Sequence, residues 1–202
     1  MSLKRMKMAS LAIAVLAGTF ALGFPTRVLA GDDCAEAHAR VQAWIKENED
    51  RLPTTLEEVS RYPMAYRRAI VEALPSKQKA DLWREHVRQY IASHPSVGAK
   101  QREVLELVIA SINPQLFSSD ITPELLRLEA AVKAAFGPEE ARLIVATLGP
   151  PESLHAQGSP VGTCECNPRS AFCGKLKCRA ASCMVLPGCG YMGRYQCNGF
   201  CE

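Results

Sequence analysis

With 202 residues the chain can hold one ordinary domain and a small appendage. Aromatics are only 6% of residues while alanine and aliphatic side chains are plentiful, which leans the composition toward helix. A net charge of +3 excludes the strongly basic balance of a general nucleic-acid binder.

The charge is unevenly placed. Residues 1–30 carry four bases and no acid, residues 31–163 carry 15 Lys and Arg against 19 Asp and Glu, a net of −4, and residues 164–202 carry five bases against two acids, a net of +3. Cysteine is more uneven still, since eight of the nine fall between Cys164 and Cys201 and only Cys34 lies elsewhere.

The first element is an export signal. Lys4, Arg5 and Lys7 precede an apolar run from Ala9 to Phe24, and Val28-Leu29-Ala30 supplies the small or apolar residues that a signal peptidase needs. Cleavage is expected between Ala30 and Gly31, with residues 1–30 removed and the mature chain secreted or periplasmic. The run is shorter than the roughly 18–20 apolar residues that span a bilayer. Gly31-Asp32-Asp33 before Cys34 is not the small, apolar context that lipid attachment requires.

Residues 31–148 read as an all-helical domain, a bundle of six or seven helices over about 35–149, because apolar residues recur at three- and four-residue steps between turn signals. Val41, Trp44 and Ile45 mark the first helix, with His38 on the same face. Thr54 with Glu57 forms a capping-box pattern for a short second one. Pro63 starts a helix through Tyr66, Ile70 and Leu74, and Pro75-Ser76 starts another through Leu82, Trp83, Val87 and Ile91. The next runs through Val104, Val108 and Ile112 and stops at Asn113-Pro114. Thr122-Pro123-Glu124 is a strong start, with Thr as cap and Pro just inside. That helix ends at Gly137, Pro138 opens the last, and Gly149-Pro150-Pro151 closes it.

This middle region carries no nucleophile elbow, phosphate loop or zinc-binding histidine pair, so no enzyme is expected. His86 and His94 read as surface or helix-end residues. Trp44, Tyr62, Tyr66, Trp83 and Tyr90 read as core and groove-edge residues rather than a ligand cage, and Arg67-Arg68 as a solvated helix face.

Residues 149–163 are rich in Gly, Pro and Ser and read as a linker, the one obvious place for a protease to reach the backbone. Beyond it, residues 164–202 show the spacing C-x-C-x6-C-x4-C-x4-C-x5-C-x7-C-x3-C. An even number of cysteines at this density in an exported chain reads as a disulfide framework of Cys164, Cys166, Cys173, Cys178, Cys183, Cys189, Cys197 and Cys201. The apolar residues here are too few to overcome the ordering entropy of the segment, at roughly 1–2 kcal/mol per residue, so crosslinks are expected to supply the difference. Eight cysteines permit 105 pairings. Cys164 and Cys166, two apart on an extended strand, should have different partners. A zinc site is the rival reading, but no C-x2-C knuckle occurs and the nearest histidine is His155 in the linker. No cofactor is expected. Cys34 has no partner by count: it is free, links two chains into a dimer, or displaces one of the tail pairings.

The module T-C-E-C-N-P-R-S-A-F-C (163–173), with G-C-G at Gly188–Gly190 and C-N-G at Cys197–Gly199, resembles the secreted antibacterial peptides of the fulvocin C type. P-M-A-Y-R-R-A-I (63–70) and L-W-R-E-H-V-R-Q-Y (82–90) are similar to the larger fulvocin C-related proteins. The resemblance implies a bacteriocin-like precursor: signal, helical pro-domain, then a peptide freed by a processing protease. Arg169, Lys175, Lys177, Arg179 and Arg194, with Tyr191 and Tyr195, are the expected contacts to an anionic bacterial envelope, and the acidic middle is expected to mask the basic tail. The competing reading is a secreted, non-enzymatic binding or structural module whose tail is a disulfide-stabilised cap.

Overall fold

The computed structural model describes residues 30–151 and 163–202, with residues 30–34 described by backbone alone. The expected signal peptide up to Leu29 and most of the expected linker, residues 152–162, lie outside the described residues.

Among the described residues, six helices precede the cysteine module: α1 (Ala30–Glu47), α2 (Leu56–Ser60), α3 (Met64–Ala73), α4 (Ser76–Ser93), α5 (Ala99–Ser111) and α6 (Pro123–Val145). The expected Ala30–Gly31 junction falls in the first turn of α1 in the uncut chain. Several starts follow from local chemistry. Pro63 and Pro75 occupy the cap positions of α3 and α4, with φ near −58° and −57°, where a missing N–H costs nothing. Thr122 caps α6 through its hydroxyl, which accepts from the Leu125 N–H, and Pro123 follows it.

One detail differs from expectation. The capping box before α2 is formed by Thr55 and Glu58, one residue later than Thr54 and Glu57. Both pairs have the required spacing, and burial of Leu56 and Val59 selects the register. As expected, one helical segment of α6 ends at Gly137 and Pro138 opens the next: Gly137 takes φ 75° and ψ 165°, a non-helical kink that a residue with a β-carbon would resist. Asn113-Pro114 ends α5 as expected and also starts a 3₁₀ turn (Pro114–Phe117), capped by the Asn113 side chain.

The module contains four short strands, β1 (Cys178–Ala180), β2 (Leu186–Cys189), β3 (Tyr195–Cys197) and β4 (Gly199–Cys201). β1 pairs antiparallel with β4, and β2 with β3, giving two separate two-stranded ladders. A two-stranded ladder is marginal by itself in water, so covalent and tertiary support must come from elsewhere.

The core answers where. Ile70, Leu82, Val87, Leu105, Val108, Val132, Ile144 and Val145 form the centre of the helical body, and Phe172, Tyr191, Met192 and Tyr195 of the module belong to the same cluster. The module's separate interior consists of Cys164, Cys189 and Cys197, with Cys183 and Leu186 beside them. The expectation that crosslinks alone make up the module's shortfall is therefore corrected. Much of its hydrocarbon is buried against the helices.

Candidate functional site

All eight cysteines of the module are paired: Cys164–Cys183, Cys166–Cys178, Cys173–Cys201 and Cys189–Cys197. Cα separations of 5.1–5.9 Å lie in the range such bridges require. Cys164 and Cys166 have different partners, as their alternation predicts. Every bridge closes within residues 164–201, so Cys34 displaces none of them; its side chain is outside those described. The sulfurs of Cys166, Cys173 and Cys178 lie within 4.8 Å of one another, the spacing of a metal cluster. They belong to two neighbouring bridges, however, and a bridged sulfur offers no thiolate to a metal.

The site worth attention is the junction between body and module. On α6, Leu125, Glu129 and Val132 follow one helical stripe, and all three are buried. The buried carboxylate is satisfied from both sides. Lys133 Nζ lies 2.5 Å from Glu129 Oε1, and Ser170 of the module donates its hydroxyl to Glu129 Oε2 at 2.8 Å. Ser170 Oγ in turn accepts the Tyr191 N–H at 2.9 Å, joining two module loops at one point on the helix. Lys133 Nζ also sits 4.1 Å from the centroid of the Phe172 ring. Around this polar knot, Tyr191 is 0% exposed, Met192 1%, Tyr195 6% and Phe172 8%. Burial, with the Glu129 carboxylate adding to it, pushes the ionisation of the Tyr191 phenol up.

Further contacts extend the junction. Arg194 Nη2 donates to the Ser119 carbonyl at 2.5 Å. Arg68 of α3 covers Gly188, and its Nη1 lies 4.0 Å from Cys197 Sγ. Gly190 has φ 70°, and a β-carbon there would come within 2.7 Å of Ser170 Oγ and within 2.6 Å of the Tyr195 ring. Only glycine lets these loops meet.

The expected envelope-binding set is thus divided. Arg169, Lys175, Lys177 and Arg179 are exposed, the last paired with Glu202 at 3.1 Å. Tyr191 and Tyr195 are buried against the helices and Arg194 is half-covered, so these three do not share the exposed basic face. What the body masks is the module's aromatic side rather than its charge.

The linker's root is also held. Arg67, expected on a solvated face, is buried and donates to four carbonyls: Nε to Tyr62 at 2.6 Å, Nη1 to Leu148 at 3.2 Å and Pro150 at 2.6 Å, and Nη2 to Ser60 at 3.0 Å. His86, expected at the surface, is buried beside Trp83. Its Nε2 meets the Leu143 carbonyl at 2.9 Å, and its Nδ1 accepts the Gly149 N–H at 3.3 Å. The Nε2–H tautomer satisfies both contacts, and desolvation holds its pKa below the ordinary histidine value. His94 does sit at a helix end, stacked on Tyr90 with centroids 4.1 Å apart. Trp44, Tyr62 and Tyr66 pack on one another with centroids 5.0–6.5 Å apart.

Glu129, Lys133 and Ser170 were not foreseen. One signal was available: Glu129 interrupts the apolar stripe Leu125–Val132–Phe136, and an acid on a buried stripe demands a partner. No family model, curated protein or solved structure matches the chain. Among the described residues, no helix is long and apolar enough to cross a membrane. Four disulfides are compatible with an oxidising compartment outside the cytoplasm.

Proposed function

We propose that the chain is a secreted bacteriocin-like precursor, in which the helical body holds a basic, disulfide-stapled peptide that acts on other bacteria after cleavage within residues 149–163. The observation that carries this reading is the closure of all four bridges within residues 164–201. A single cut in the linker therefore leaves the module attached by non-covalent contacts alone. Arg169, Lys175, Lys177 and Arg179 already face solvent, and each base near an anionic surface adds about 1 kcal/mol of adsorption. Release would add the side now covered, Phe172, Tyr191, Met192 and Tyr195, to the exposed basic residues. Such a peptide has a cationic side and an aromatic side, a combination suited to an anionic envelope. The resemblance of residues 163–173 to the fulvocin C type points the same way.

The test is the mass of the species in the culture medium of a producing strain, followed by assay of the oxidised 163–202 fragment on indicator bacteria. A secreted fragment that kills supports the reading. Only uncut chain in the medium, or a fragment without activity, sinks it. A second reading, a one-piece secreted binding module without catalysis, is favoured by the shared core around Tyr191. It expects uncut chain in the medium.

A further inference from the structure

We propose that the helical body is the template on which the module's disulfides are paired, a role that holds whether the module is later released or not. To choose among 105 pairings the module by itself has two short two-stranded ladders, and such ladders are marginal alone in water. Its separate interior is made of Cys164, Cys189 and Cys197 with Cys183 and Leu186, and before oxidation that interior does not exist as a crosslinked unit. Three of its four aromatic residues, Phe172, Tyr191 and Tyr195, are buried in the helical core instead. A reduced module has neither bridges nor a hydrocarbon centre.

The body supplies what is missing, at the right places in the chain. Ser170 and Phe172 lie between Cys166 and Cys173, while Tyr191, Met192 and Tyr195 lie between Cys189 and Cys197. Ser170 and Phe172 meet Glu129 and Lys133 of α6, and Phe172, Tyr191, Met192 and Tyr195 join the body's core. An extended chain advances about 3.3–3.6 Å per residue, so a cysteine two residues from an anchored tyrosine stays within about 7 Å of it. Anchoring Tyr191 and Tyr195 therefore confines Cys189 and Cys197 to one small region, where their Cα atoms end 5.1 Å apart. The Glu129–Ser170–Tyr191 chain of hydrogen bonds brings the 166–173 loop to the same spot. Arg68 on α3 covers Gly188 of β2, next to Cys197. None of these anchors requires a sulfur–sulfur bond, so all of them can form while the thiols are free.

The covalent steps belong to a small-molecule disulfide. A protein thiolate attacks it and releases one of its thiols, and the partner thiolate then displaces the other. Each bridge oxidises two protein thiols and reduces one donor disulfide to two thiols, which take up the two protons. The donor provides the oxidation, and docking energy selects the pairs.

The experiment refolds the whole mature chain from Gly31, reduced in denaturant and diluted into a buffer of oxidised and reduced glutathione, with bridges mapped by peptide mass. The wild-type chain is expected to recover predominantly the four native pairs. The double variant Glu129→Ala/Lys133→Ala, which keeps good helix formers on α6 but removes the Ser170 and Phe172 contacts, is expected to give at least fivefold less native map at full helical circular dichroism. Arg68→Ala, which leaves α6 untouched, is a second probe with the same expected direction, and it carries the test if the double variant loses its helical signal. Native yield equal to wild type in a variant with full helical signal overturns the template role.

Discussion

The helical body and the cysteine module solve the same problem with different materials. The body buries aliphatic side chains such as Ile70, Leu105, Val132 and Ile144 around one centre, and its helices are set by caps and prolines that act locally. The module has a sulfur interior, two short ladders and four bridges, and it places its best apolar residues in the body's centre. The lesson is that disulfides substitute for a core only in part. They limit the disorder of the unfolded module, while the body stabilises its aromatic side.

The largest expected effect comes from removing the bridges. Closing a loop of about 15 residues stabilises by around 3 kcal/mol in the chain-entropy picture, so four bridges are worth on the order of 10 kcal/mol. Full reduction of the native chain should therefore expose the ladder amides of residues 178–180 and 199–201 to hydrogen exchange while α4 to α6 and the docked Tyr191 amide remain protected. Protection of the strands that survives complete reduction would show that docking alone holds the module.

Tyr191→Ala approaches the same comparison from the hydrocarbon side. Large-to-small changes of a buried aromatic cost about 3–5 kcal/mol. Because Tyr191 belongs to the body's cluster, the loss should appear in the denaturant midpoint of the helical signal as well as in the module. An unchanged helical midpoint would mean that the shared core is contact without energetic coupling.

How much of this was legible in the chain follows the same division. Thr122-Pro123, Pro75-Ser76 and Asn113-Pro114 act through neighbouring backbone, so they could be read directly. The bridging of the module's cysteines could be read from their number and density. The junction could not, because Ser170 and Glu129 are 41 residues apart and Arg67 and Pro150 83 apart, and no local period records such meetings. Even so, Arg67 falls on the stripe Pro63–Arg67–Ile70–Leu74, and His86 on the stripe Trp83–His86–Val87–Tyr90. A polar residue buried on an apolar stripe needs partners, and both have them.

Arg67→Leu should have the third-largest effect. It removes the charged donor shared by the Ser60, Tyr62, Leu148 and Pro150 carbonyls, and buried groups left unpaired cost about 1–3 kcal/mol each before they relax toward water. A loss of about 2–4 kcal/mol is expected in denaturant unfolding, together with faster proteolysis near Pro150. Cleavage at the wild-type rate would show that the linker's root does not depend on this clamp.

The smallest effect is a dependence on pH, and it separates the two regions cleanly because the titrating group belongs to the body. His86 is neutral in its site, with Nδ1 accepting from Gly149 and Nε2–H facing the Leu143 carbonyl, and burial lowers its pKa. The unfolded chain, with a histidine near pKa 6.5, binds the proton more readily than the native one. His86 therefore contributes its full stability above about pH 6.5, and this contribution declines as pH falls toward the depressed native pKa, below which the loss is complete. Protonating Nδ1 also removes the acceptor for Gly149, so the decline should be accompanied by exchange of the Gly149 amide. His86→Gln, which cannot titrate, should flatten the slope of melting temperature between pH 7 and pH 5 without altering protection of the bridged strands. Equal slopes in both proteins would remove His86 as the cause, whereas a matching loss of strand protection would mean that the linker's root and the module open together.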